Sequence, residues 1–154
     1  MKIDFYFSYR SPYSYLILPR VLDLKNNYKI DINFKLVYPL AIREPEFFKG
    51  KNFLTYFFYK IRDMRSVAKQ LDMPFFTPRP DPIKQSYLTG KIADEQPYIF
   101  DLCHIGQQAA QEGLGIEIAY ELSSLILVKC LLIIFGVIHL LIYQLILKID
   151  KIQN

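Results

Sequence analysis

Cysteine is scarce in this 154-residue chain, and the two present, Cys103 and Cys130, lie far apart with no Cys-x-x-Cys spacing. That excludes a cysteine zinc site and a dithiol redox pair, and fits a reducing compartment. No basic segment followed by an apolar stretch and a small-residue cleavage site opens the chain, so a signal peptide is not expected and a cytoplasmic location is. Lysine and arginine are interspersed with acids rather than gathered, and a net charge of +4 gives no basis for nucleic-acid binding. Internal repeats and low-complexity tracts are missing too. No proline follows Pro97. The length is that of about one domain and suffices for a real core.

What is present starts at the N-terminus. Ile3, Phe5 and Phe7 alternate with Lys2, Asp4 and Tyr6, the two-residue period of a half-buried strand. The alternation breaks at Ser11-Pro12. Serine is a preferred N-cap, proline suits the first helical turn, and Tyr15, Leu18 and Leu22 then form an apolar face. The spacing predicts a helix from Ser11 to about Lys25, kinked at Pro19. After a turn at Asn26-Asn27, Ile30, Ile32, Phe34 and Leu36 predict a second strand. Two strands joined by a helix are expected to be parallel, with the helix start at the carboxyl end of the first strand, where ligands bind in open α/β sheets.

A helix start favours an anion, because its first N–H groups are unpaired and carry partial positive charge. Ser11 adds a hydroxyl and Arg10 a cation. Ser-Pro at a helix start is mostly ordinary capping, and the spacing alone favours that reading.

Further along, Phe57, Ile61, Met64, Ala68 and Leu71 form one helical stripe of core type, with Lys60, Arg62, Asp63 and Lys69 on other faces. The prolines at 74, 78, 80 and 82 predict a fixed, extended loop from Met73 to Pro82. A helix is expected from about Gln96, with Pro97 at its start, to near Gly113, and another from about Ile116. Cys103 falls on an apolar face and reads as a small buried hydrophobe, while His104 reads as a surface residue.

The segment Phe-Tyr-Phe-Ser-Tyr-Arg-Ser-Pro-Tyr-Ser-Tyr-Leu at 5–16 resembles the opening of 2-hydroxychromene-2-carboxylate isomerases and the related class kappa glutathione transferases, DsbA-like thioredoxin-fold proteins in which a serine replaces the first redox cysteine. Tyr59-Lys60-Ile61-Arg62-Asp63, followed by Leu71-Asp72-Met73-Pro74, is similar to the family's helical region, with Asp72 where the family often has glycine. The resemblance covers about 2–125. It implies an α/β thioredoxin-like β-α-β unit at 1–43 and a large α-helical insertion at 44–124, with a small-molecule substrate and no nucleic acid. It also implies glutathione as cofactor, held through Ser11, Pro12, Tyr13 and Arg10. Ser11 would be the catalytic residue, keeping the sulfur as a thiolate that adds reversibly to an unsaturated, aromatic-derived carboxylate. Asn52, Lys51 and Arg79 are weaker candidates for substrate contacts, with solvated surface as their alternative. A thiol–disulfide oxidoreductase fits poorly, because serines 11 and 14 stand where such enzymes need cysteines.

The family's last strands and their cis-proline loop have no counterpart after Pro97. Instead 125–154 departs from the family, and Leu125–Leu147 is apolar apart from Lys129, His139 and Gln144. Three readings stand: a shifted or prematurely ended reading frame, a membrane anchor of the required ~20 residues, or an apolar helix covering the sheet in place of the last strands. An inactive or membrane-tethered fragment with a non-catalytic interaction role is therefore the alternative function, and the sequence decides neither this nor whether a homodimer forms.

Overall fold

The computed structural model describes residues 1–48, 50, 52–86 and 88–128. Strand β1 (Lys2–Phe7) leads into helix α1 (Pro12–Asn26) and strand β2 (Asp31–Leu36), and the strands pair in parallel from Lys2 opposite Asp31 to Phe7 opposite Leu36. The alternation read from sequence sets the two faces of this sheet. Phe5, Phe7 and Phe34 meet on the inner face at ring separations of 5.6–6.3 Å. On the outer face the Asp4 carboxylate accepts from Lys35 at 2.6 Å and Asn33 at 2.7 Å.

A short helix α2 (Leu40–Arg43) and a 3-10 turn (Pro45–Phe48) follow β2, then α3 (Phe53–Gln70), α4 (Ile99–Gln111) and α5 (Gly115–Leu127). Helix α1 packs on α5, α5 on α4, and α4 on β2. Two glycines set those distances. A Cβ at Gly115 would lie 2.7 Å from the Phe34 ring, and one at Gly106 would lie 2.8 Å from that of Tyr9, which is fully buried and edge-on to Phe7. The helices close on the aromatics only because those positions carry no side chain. Lys25 in the last turn of α1 pairs with Glu117 at 2.6 Å and donates to the Gly113 carbonyl. One apolar cluster runs through Phe7, Leu18, Val21, Ala68, Leu102 and Ile116, so the β-α-β unit and the helices after it share a core.

Helix α1 runs unbroken through Pro19. The stripe of α3 is as read: Met64 and Ala68 are buried, and Ile61 and Leu71 partly so. The loop from Met73 to Pro82 is extended and pinned. Its Phe76 N–H donates to the Leu127 carbonyl at 2.6 Å, its Pro74 carbonyl accepts from Tyr15 Oη at 3.3 Å, and the Arg79–Pro80 bond is cis. Asp72 takes φ 51°, the left-handed conformation that favours glycine.

The expected start of α4 is corrected by three residues. Gln96 is buried, and its amide accepts from Lys84 N–H at 2.9 Å and donates to the carbonyls of Lys84 and Ala93, so it serves the preceding loop and the helix begins at Ile99. The apolar segment at 125–147 lies outside the described residues beyond Val128. Its first residues, Leu125 to Leu127, complete α5. No helix among the described residues is long and apolar enough to cross a membrane.

Candidate functional site

A cavity of about 490 Å³ opens where β1 ends and α1 begins, lined by Ser8, Arg10, Ser11, Pro12 and Ser14 on one side and by residues of α2, α3 and the pinned loop on the other. Its volume is in the usual range for small-molecule sites. Phe53, Tyr56, Phe57, Ile61, Met64 and Phe75 supply an apolar and aromatic wall.

Ser11 is the N-cap of α1. Its backbone is extended, with φ −89° and ψ 109°, and its Oγ accepts from the Ser14 N–H at 3.3 Å. The Ser11 N–H in turn donates to the Ser8 carbonyl at 3.0 Å, which fixes the turn between strand and helix. Oγ is thereby used as an acceptor, while its proton has no acceptor among the described residues. An anion in the cavity would meet that proton beside the positive end of α1.

The other sequence candidates separate. Arg10 lines the cavity, but its Nε and Nη2 donate to the two carboxylate oxygens of Asp81 at 2.9 and 3.0 Å. The side chains are only 19% and 15% exposed, so this is a largely dehydrated, bidentate pair whose charges offset each other. Asp81 also accepts from the Ile83 N–H at 2.9 Å, and so holds the proline-rich loop against the site. Tyr13 does not line the cavity, and its hydroxyl donates to Asp63. Partial burial and the Asp63 carboxylate push that phenol up to about 12, so it keeps its proton throughout the physiological range. Asn52 is the N-cap of α3, accepting from Thr55 N–H at 3.1 Å, and neither it nor the exposed Arg79 lines the cavity. Lys51 lies outside the described residues.

Two cavity cations were not singled out from the sequence. Arg43 ends α2 and donates Nε to the Tyr38 carbonyl at 2.8 Å. Lys60 reaches the cavity from α3, its ammonium over the rings of Tyr13 and Tyr56 at 5.1 and 5.4 Å from their centroids. The sequence marks Lys60 by its place off the apolar stripe, which any solvated lysine shares, and within the family-like segment Tyr59–Asp63, neither of which assigns it to the cavity.

Cys103 is buried and burial pushes its thiol up to about 12, the behaviour of an inert core residue. His104 is exposed. Among the described residues no group of His, Cys, Asp and Glu is arranged to hold a metal ion.

No protein-family profile and no curated protein matches the sequence. Among solved structures, 2-hydroxychromene-2-carboxylate isomerase is similar, with a TM-score of 0.66 and 17% identity over 94% of this chain. The chain spans 64% of that isomerase. The likeness lends no support to a non-catalytic, membrane-tethered fragment. At this level of identity it establishes architecture alone: a small parallel sheet with helices around it, similar to the DsbA-like fold of that isomerase.

Proposed function

We propose that this chain is a glutathione-dependent isomerase acting on an unsaturated, aromatic-derived carboxylate. The observation that carries the reading is Ser11. It caps α1 with its proton uncommitted, at the wall of a cavity that also presents Lys60 and Arg43. These residues fit glutathione, a thiol carrying two carboxylates. When bound, glutathione would supply a thiolate nucleophile able to add reversibly to a conjugated double bond. Ser11 would donate its proton to the sulfur, and the positive end of α1 would face the same charge through its dipole, Pro12 having no N–H and that of Ser14 being taken by Ser11 Oγ, so both favour the ionised form. Lys60 and Arg43 would take carboxylates, and the aromatic wall would pack against a flat substrate and exclude water from it. Arg10, neutralised by Asp81, contributes shape rather than charge.

Titration calorimetry with glutathione and S-methylglutathione tests the reading. Ser11→Ala should weaken glutathione about tenfold, equivalent to about one pKa unit on the bound thiol. It should leave the thioether unchanged, because that sulfur cannot ionise. A native chain that binds neither compound, or a Ser11→Ala variant that binds glutathione as before, would overturn the proposal.

A further inference from the structure

Lys60 and Asp63 stand three residues apart on α3, the spacing at which opposite charges pair across one helical turn. They do not pair. The Asp63 carboxylate is turned toward the Tyr13 hydroxyl, from which its Oδ2 accepts, and among the described residues no carboxylate lies within 4.0 Å of Lys60 Nζ. The ammonium rests instead against two ring faces, at 5.1 Å from the Tyr13 centroid and 5.4 Å from that of Tyr56, on the cavity wall. An aromatic face attracts a cation without cancelling its charge, whereas a carboxylate would cancel it.

We propose that Tyr13 is a positioning residue: by occupying Asp63 it keeps Lys60 unneutralised, and by its ring it holds the ammonium where the carboxylate of an anionic ligand can reach it. The identity of that ligand as glutathione rests on the reading above; the positioning does not. Tyr13 lies two residues after Ser11, so the turn that provides the hydroxyl for the sulfur also conditions the cation on α3. One short segment thereby prepares both ends of the site.

Tyr13→Phe separates the two roles, because it keeps the ring and removes the hydroxyl. In the ligand-free protein, NMR should show the Lys60 Cε protons shifted upfield by the tyrosine ring currents. In Tyr13→Phe most of that shift should be lost as Lys60 turns to Asp63, and the affinity for glutathione should fall about tenfold, as expected when one charge-assisted contact is lost. Adding Asp63→Asn to Tyr13→Phe should restore both. Asp63→Ala alone, which loses the same hydrogen bond but leaves no carboxylate for Lys60, should keep both, whereas a merely structural hydrogen bond would be missed in that variant as well. An unchanged Lys60 shift in Tyr13→Phe, or a loss that Asp63→Asn does not restore, would overturn the proposal. If the shifts behave as described while native protein binds no glutathione, the positioning stands and the ligand assignment fails. If glutathione binds but the shifts ignore Tyr13→Phe, the positioning fails and the assignment stands.

Discussion

Arg10 and Lys60 line the same cavity and carry the same charge, yet their surroundings differ. Arg10 is clamped bidentately by Asp81, with both side chains largely out of water. Lys60 has an aspartate one turn away that is engaged elsewhere, and lies between two rings. The first cation serves the fold, tying the strand-to-helix turn to the proline-rich loop; the second is left for a ligand. Formal charge near a site therefore says little until the carboxylates around it have been assigned.

The comparison breaks most visibly at Arg10. Asp81→Asn leaves the guanidinium largely dehydrated and without its counter-charge, and should cost about 3 kcal/mol of stability, read by denaturant unfolding. A loss under about 0.5 kcal/mol would mean that the pair behaves as an exposed one. Lys60→Met should do the reverse. Unfolding should change by less than about 1 kcal/mol, since only an exposed-type cation–π contact is lost, while glutathione affinity falls about tenfold. Equal effects on stability and binding would erase the distinction. The smallest effect is that of salt. Between roughly 50 and 500 mM, screening should weaken glutathione binding a few-fold while the stability difference between native chain and Asp81→Asn stays nearly constant, because buried pairs are screened less.

The parts legible in sequence were those written in local pattern. Alternation gave β1 and β2 and their inner faces, Ser11-Pro12 gave the start of α1, and the four prolines gave the extended loop. Their signals lie within a turn or two of the residues they specify. Pairings between distant segments were not legible. Arg10 meets Asp81 across 71 residues and Tyr13 meets Asp63 across 50, and nothing local selects those aspartates over the others. Asn52 carried a local signal that was read for a different purpose: an asparagine three residues before Thr55 at a helix start is a cap. Pro97 as a first-turn proline points to a helix start at about Gln96, while the Gln96 amide is spent on three backbone groups of the loop before it.

The approach of Gly106 to Tyr9 and of Gly115 to Phe34 has a consequence for how the chain can change by mutation. In each pair the ring occupies the volume that a side chain on the glycine would need, so the two positions behave as one site of fixed total size. A residue larger than glycine at 106 or 115 is admitted only with a smaller one at 9 or 34. Such pairs drift together or not at all, and the second of them ties a helix to the strand that runs beside the one leading to Ser11.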